Sequence, residues 1–313
     1  MIRFMLGRLA LAIPTLFIVT LAVFAMVRAI PGDPASAMLG DLATPEMVAR
    51  LKASMGIDKP LPVQYVIWLG DVVSGDFGRS IGNDEPVGPL IWERFKVSAS
   101  IVLLAVALAS MVAVPAGMIA AWRQGTATDL GLIGVATLLL SIPSFWLGLM
   151  ILLVFGLGLG WFPILGSQAL SGSWREWAAA IAMPVLTLFL VEMGSIVRMS
   201  RAATIDVLRQ EYITHARAKG LSESAVMWRH AFRNAFAPTW TLIGLILGAL
   251  LGGIAVVETV FTIPGLGRLL VEGIYTRDYP VVQGCILMIA FVYVVVNLIV
   301  DMAYPFFDPK VAR

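Results

Sequence analysis

Apolar residues run through this chain in long stretches separated by single charges, with neither the 3.6-residue period of a half-exposed helix nor the strict alternation of a half-buried strand. Stretches free of Lys, Arg, Asp and Glu cover residues 9–27, 97–122, 130–174, 234–257 and 279–300, and residues 177–197 carry one interior acid, Glu192. A helix needs ~20 mostly apolar residues to cross a bilayer. The third stretch is too long for one crossing and too short for two with a turn, so its helix is expected to end near residues 156–160, before Pro163. The pattern predicts an all-α integral membrane protein with six spans. Three segments follow: residues 1–30 with the first span, a loop over 31–97, and a membrane core over 98–313.

Arg3 and Arg8 precede the first run, and Ala35-Ser36-Ala37 lies downstream, as in a cleavable leader. A leader's apolar region is about 7–15 residues. This run is longer, and the small residues lie beyond Pro31-Gly32-Asp33-Pro34, so the first span is expected to be retained. Six spans put both termini on one side. Arg3, Arg8, Arg123, Lys310 and Arg313 share that side with seven Lys and Arg between residues 198 and 233. The shorter loops opposite carry only Arg175, then Arg268 and Arg277. Positive residues mark the cytoplasmic side, so both termini are expected there, and the loop over 31–96 outside. Its Pro, Gly and Asp content predicts short helices and turns, not a separate domain.

Composition agrees with a lipid solvent: 59% of the 313 residues are hydrophobic and 13% charged, against about 25% charged in soluble domains. Mean hydropathy is +0.89 and the net charge +2, which gives no basis for nucleic-acid binding. Cys285 is single and sits in an apolar run, so no internal disulfide or multi-cysteine metal site is possible. Two histidines, His215 and His230, are too few for a zinc site. No H-E-x-x-H occurs, and both histidines lie in one loop, which argues against an intramembrane hydrolase.

The connection over residues 199–238 is long for a helix–helix link. Ile205, Leu208, Tyr212 and Ala216 recur at helical spacing, with Val207 and Ile213 widening the stripe. Gly220 stands where a helix end favours a left-handed residue. Ser222 suits an N-cap, with Glu223 in the following first turn. A second helix would carry Ala225, Val226, Trp228, Ala231, Phe232 and Ala235, and Pro238 would punctuate the start of the fifth span. The segment thus reads as a basic helix–glycine–helix hairpin at the membrane face. Such a surface suits either a groove on a partner protein or anionic lipid headgroups.

Polar groups inside spans are costly in lipid and seek a pore, an interface or a partner. Glu192 in the fourth span, Glu258 at the end of the fifth, and Asn297 and Asp301 on one face of the sixth are the candidates. A structural pairing is the expectation for Asp301. Gly244, Gly248 and Gly252 form G-x-x-x-G steps that allow close helix approach, within the subunit or at a dimer seam. Pro115 and Pro143 are expected to kink or break the second and third spans.

Tyr212-Ile213-Thr214-His215-Ala216-Arg217-Ala218-Lys219-Gly220-Leu221 resembles the coupling loop of ABC importer permeases of the oligopeptide/dipeptide class. Further matches run in order along the chain: Arg8-Leu9 with Ile13-Pro14-Thr15, Pro31-Gly32-Asp33-Pro34, Gly56-Ile57-Asp58-Lys59-Pro60-Leu61, and Gly75-Asp76-Phe77-Gly78 with Ser80. They continue with Val257-Glu258-Thr259-Val260-Phe261, Pro264-Gly265-Leu266-Gly267, Arg277-Asp278-Tyr279, Asn297, Val300-Asp301, Tyr304 and Asp308-Pro309-Lys310. One departure stands out. The broad importer signature places Glu-Ala-Ala where this chain has Thr214, His215 and Ala216, and its proline where this chain has Asn234.

The resemblance implies a type I importer-like permease fold with cytoplasmic coupling helices. It implies four kinds of partner: a homologous second permease, one or two cytoplasmic ATPase subunits gripping the loop at residues 217–220, an extracytoplasmic solute-binding protein, and the lipid itself. No G-x-x-x-x-G-K-[ST] and no Gly-Lys pair occurs in the chain, so ATP and Mg would be held by the ATPases and no cofactor by this subunit. A secondary transporter working alone is the rival. It would want polar groups from several spans converging at mid-membrane, and usually an inverted repeat. Class members carry dipeptides, longer peptides, glutathione, nickel chelates or glycosides, and the sequence does not choose among them.

Overall fold

The computed structural model describes residues 2–29, 44–54, 58–166, 170 and 172–307. The matches at Pro31-Gly32-Asp33-Pro34, Gly56-Ile57 and Asp308-Pro309-Lys310, the small residues at 35–37, and Lys310 and Arg313 lie outside them. The helices are α1 (Ile2–Ala29), α2 (Pro45–Ser54), α3 (Leu61–Ser74), α4 (Val87–Trp122), α5 (Ala127–Ser141), α6 (Ser144–Ile151), α7 (Trp174–Leu208), α8 (Glu211–Ala218), α9 (Glu223–Ala225), α10 (Phe232–Gly253), α11 (Ala255–Val260), α12 (Leu266–Thr276) and α13 (Tyr279–Phe307). Two π-helical segments, Leu152–Gly158 and Val226–Ala231, extend α6 and precede α10. Among the described residues the sole β pairing is an isolated bridge between Arg79 and Pro86.

Five helices are long and apolar enough to cross a bilayer, and a bent pair makes six. The pair is α5 with α6 and its π extension, bent by 97°. Ile142-Pro143 is the break: Pro143 is extended at the N-cap of α6, where its ring would collide with a preceding helical turn. The 130–174 stretch is therefore a broken crossing whose helix ends at Gly158. Pro115 behaves differently, since α4 runs unbroken through it for 36 residues. Pro238 also lies inside a helix, α10, and does not mark its start. Inside lipid, neighbouring helices re-satisfy the backbone groups that a proline frees.

α7 is the central element. Its apolar window is 56% buried, against 11% for α1 and 17% for α13. α4 meets it through a ladder of small residues, Ala105, Ala109, Ala113, Gly117 and Ala121, all buried and four apart. A Cβ on Gly117 would lie 2.6 Å from the carbonyl oxygen of Val197, and one on Gly194 2.6 Å from that of Ala136 in α5. Lipid offers no hydrophobic push between helices, so such close backbone approach supplies the dispersion contact that holds them. Two polar ties fasten α7 to these neighbours, one to α4 and one to α5. Ser200 donates its hydroxyl to the Val114 carbonyl at 2.9 Å. Arg201 donates two bonds, 2.6 and 2.7 Å, to the buried carboxylate of Asp129, which also accepts the Gly125 N–H.

The glycine steps of α10 face α13 of the same chain. A Cβ on Gly244 would lie 2.2 Å from Val300, and one on Gly248 2.4 Å from the Tyr293 ring, while Gly252 has ordinary clearance to Ile289. Within this chain the motif brings two of the subunit's own spans close together. α1 packs on the far side of α13. Arg8 pairs with Asp301 at 2.9 Å, which puts the start of the first span and the end of the last at one end of the bundle. Six crossings require this.

At the opposite end, the turns that follow α3 close over the start of α13. Ser80 donates its hydroxyl to the Asp278 carboxylate, and both groups are buried. Phe77 lies in a second small core with Val87, Ile91, Leu266 and Val281. The motifs at residues 75–80 and 277–279, far apart in sequence, are thus the two halves of one contact. Outside the bilayer, the Arg79 guanidinium beside Asp84 holds that carboxyl below its usual range.

Candidate functional site

Below the bundle, at the end shared by Arg8 and Asp301, the chain makes its hairpin. The sequence expectation of two loop helices needs one revision. α7 continues without a break to Leu208, so the stripe at residues 205–208 belongs to the span helix, and only α8 stands free. At ~1.5 Å per residue α7 is about 52 Å long, well beyond a ~30 Å hydrocarbon core. Its last turns therefore project from the bilayer and carry the hairpin outward.

α8 is one-sided. Ile213 is fully buried and Ala216 nearly so, both within the core cluster that holds Val226, Met227 and Ala231. Tyr212, Arg217, Ala218, Lys219, Gly220 and Leu221 are exposed. The helix ends where Gly220 turns left-handed at φ +80° and donates its N–H to the Arg217 carbonyl at 2.9 Å. Ser222 then caps the next helix by accepting the Ala225 N–H. Arg217 donates two hydrogen bonds, 2.8 and 3.0 Å, to Glu223 across the turn. The tip is thereby a closed ring of about seven residues and not a floppy link, with Lys219 free of any ion pair among the described residues.

The second arm locks to the first. Asn234 donates its amide to the Tyr212 hydroxyl at 2.7 Å. This is the position where the broad importer signature has a proline, so the departure exchanges a stiff residue for a cross-link. Arg233 donates to the Phe306 carbonyl at 2.7 and 3.0 Å, tying the hairpin to the end of α13. Trp228 in the π-helical stretch and Phe232, Phe236 and Trp240 in α10 follow as adjacent rings, and Phe236 and Trp240 both meet Phe307. The tip is thus joined to spans five and six through packed rings and the two Arg233 bonds.

The four polar span residues divide. Glu258 is fully buried, accepts the Ser98 hydroxyl and the Arg268 N–H, and sits over the first turn of α12. Its carboxylate occupies the space a Cβ on Gly265 would fill, 2.0 Å away. A Cβ on Gly267 would in turn lie 2.7 Å from the Ala255 backbone nitrogen. Close approach explains both glycines of the Pro264-Gly265-Leu266-Gly267 motif. Asp301 is paired with Arg8, and Asn297 donates to the Tyr293 carbonyl one turn earlier. Glu192 differs: it is part-buried, and no hydrogen bond or ion pair among the described residues reaches it.

Several groups escaped sequence reasoning. Ser98, Asp129 and Arg201 read as ordinary boundary residues, and only their burial reveals their ties. The ladder from Ala105 to Ala121 was readable as a four-residue repeat of small side chains. Among the described residues no group of three or more His, Cys, Asp or Glu is placed to hold a metal ion.

Comparison with known proteins adds a second line. A family described as binding-protein-dependent transport system inner membrane component matches residues 113–313, and its N-terminal companion matches residues 1–102. A relative from Brucella suis biovar 1 is 40% identical over 311 residues, 99% of each chain. The di/tripeptide transport system permease protein DppB of Pseudomonas aeruginosa is 37% identical over 332 residues, and the oligopeptide transport system permease protein AppB of Bacillus subtilis is 36% identical over 314, each covering 99% of both chains.

Proposed function

The chain belongs to the family of binding-protein-dependent transport system inner membrane components, and from that membership we propose that it forms half of the translocation path of an ATP-driven importer for peptides or related small solutes. It is a multi-pass permease subunit, not an ATPase. Such a permease works with a partner permease, an ATPase and a solute-binding protein. The peptide cargo rests on the names of full-length relatives. Three working regions follow: residues 1–30, the outer loop over 31–97, and the core over 98–313.

The observation that carries the mechanism is the rigid, exposed, cationic hairpin tip at residues 217–221, anchored by Ile213 and Ala216 and wired to α10 and α13. A cytoplasmic ATPase dimer grips this tip, with ATP and Mg held on its side of the contact. Nucleotide-driven closure displaces α8, and the aromatic run of α10 passes the displacement into the spans. The path then alternates between outward and inward openings, a two-state equilibrium biased by the partner. Charge bias supports a cytoplasmic hairpin and cytoplasmic termini. Glu192 lines the path. Its support is contrast: Glu258, Asn297 and Asp301 all have partners within the chain, and Glu192 has none among the described residues. A single unpaired acid gives little footing to a transporter working alone, which needs several converging groups.

The test pairs isolation with a charge swap. The chain purified from native membranes in mild detergent should bring a P-loop ATPase with it. Arg217→Glu removes both a surface cation and the ring-closing pair with Glu223. Adding Glu223→Arg restores the pair but reverses the charge pattern offered to the partner. Uptake in proteoliposomes should be lost in the single variant and stay lost in the double. Recovery in the double would mean that Arg217 serves only the loop's own fold, and absence of any ATPase in repeated isolations would overturn the reading.

A further inference from the structure

A cleft of about 760 Å³ opens between α1, α3, α4 and α13. Phe17, Val72, Trp92, Phe95, Met288 and Val292 are among its walls. Its depth follows from helix geometry. Leu287 and Val295, which bound it on α13, lie about 12 and 24 Å from that helix's start at ~1.5 Å per residue. The cleft therefore sits within the hydrocarbon zone, under the end of the bundle that carries α3.

Water is a poor occupant. Thr20 carries the sole hydroxyl of the walls, and it is already bonded to the Tyr65 hydroxyl and the Phe17 carbonyl, each at 2.8 Å. A buried water needs two to four polar partners. A helix from another subunit is a poor occupant too. This chain builds its own seams from small residues, Gly117 and Gly194 on α4 and α7 and Gly244 and Gly248 on α10. The cleft walls contain no Gly, Ala or Ser and present rings and branched side chains. A thin, flexible hydrocarbon chain fits between such residues where a helix does not.

α3 supplies the second observation. At 14 residues it is too short to cross. One face, with Tyr65 and Trp68, packs on Phe24 of α1, and Leu69 and Val72 roof the cleft. The opposite face exposes Val63, Val66 and Ile67 in one helical stripe, and the exposed Val73 stands at the cleft's rim. A helix apolar on its free side lies in the interface with that side in lipid. We infer that α3 lies in the bilayer interface and that the cleft beneath it holds one acyl chain of a membrane phospholipid. This rests on the membrane placement of the chain and not on the coupling role of the hairpin.

The test is photolabelling of the full-length chain, with the subunits that accompany it, in nanodiscs of phosphatidylethanolamine and phosphatidylglycerol. A small fraction of the phosphatidylethanolamine carries a diazirine midway along one acyl chain. After illumination, adducts mapped by peptide mass spectrometry should fall on residues 287–295 and 69–73. They should exceed those on Ile13 and Ile18, which simply face outward, by at least about threefold, equivalent to about 0.7 kcal/mol of preferential residence at 1.4 kcal/mol per tenfold. Val292→Trp, or the milder Met288→Phe, fills the cleft and should lower its adducts while leaving those on α1 unchanged. Equal labelling of cleft and outer surface in the unmodified chain overturns the inference, as does cleft labelling indifferent to both substitutions, or a cleft left unlabelled while the outer surface is labelled. None of these outcomes depends on ATP-driven uptake.

Discussion

Glu258→Ala leaves the chain able to insert but strips the α12 end of the bundle of its anchor. The substitution orphans the Arg268 N–H at the start of α12, while the Ser98 hydroxyl keeps the Arg94 carbonyl as an acceptor at 3.3 Å. A buried donor left unmatched costs about 1–3 kcal/mol, a large share of a typical stability of about 5–15 kcal/mol. Thermal unfolding in mild detergent should shift down by about 2–12 °C, taking about 2–4 °C per kcal/mol for a chain of this order. Gly265→Ala should do comparable damage from the other side, because its new methyl would collide with the same carboxylate. A melting temperature for Glu258→Ala within about 2 °C of the parent would show the carboxylate to be dispensable.

Gly220→Pro should abolish ATP-coupled uptake with membrane abundance unchanged. The reason is conformational. Gly220 holds φ at +80° and donates its N–H to Arg217, while proline fixes φ near −65° and has no N–H. Open space surrounds the position, so bulk is not at issue. The turn must re-form, Arg217 and Glu223 lose their register, and the tip moves from where a partner meets it. Losing about 1.4 kcal/mol of docking free energy already costs tenfold, and uptake in proteoliposomes should fall by at least that. Gly220→Asn is the control, since asparagine tolerates the left-handed region, and it should retain most uptake. Full activity in Gly220→Pro would remove the hairpin from the mechanism.

Crossings were the most legible feature of the sequence, because a bilayer imposes one length on every helix and charges mark its limits. Five stretches became continuous helices and the sixth a bent pair broken at Pro143. The turn chemistry of the hairpin was equally readable: Gly220 is left-handed and Ser222 caps as its residue type demands. Helix continuity was not. Nothing local distinguishes Pro115 and Pro238, carried inside α4 and α10, from Pro143, which breaks its span, because the surrounding helices decide. Partnerships between distant residues were also hidden. Arg201 counted only as a positive charge near a membrane end until Asp129, 72 residues away, was found against it. Glu258 illustrates the same limit, since an acid in a span advertises cost and not whether a partner or a pathway meets it.

The π-helical stretch Val226–Ala231, between the hairpin tip and α10, absorbs a residue. A π turn closes the same full circle as an α turn with one residue more. Deleting a single residue there would let the stretch relax to ordinary α-helix while the arms on either side keep their relative orientation. The same deletion within α10, where no surplus exists, would rotate everything before it by about 100°. The aim of the exposed tip is therefore insensitive to a one-residue loss at this turn and sensitive to it farther along the arm.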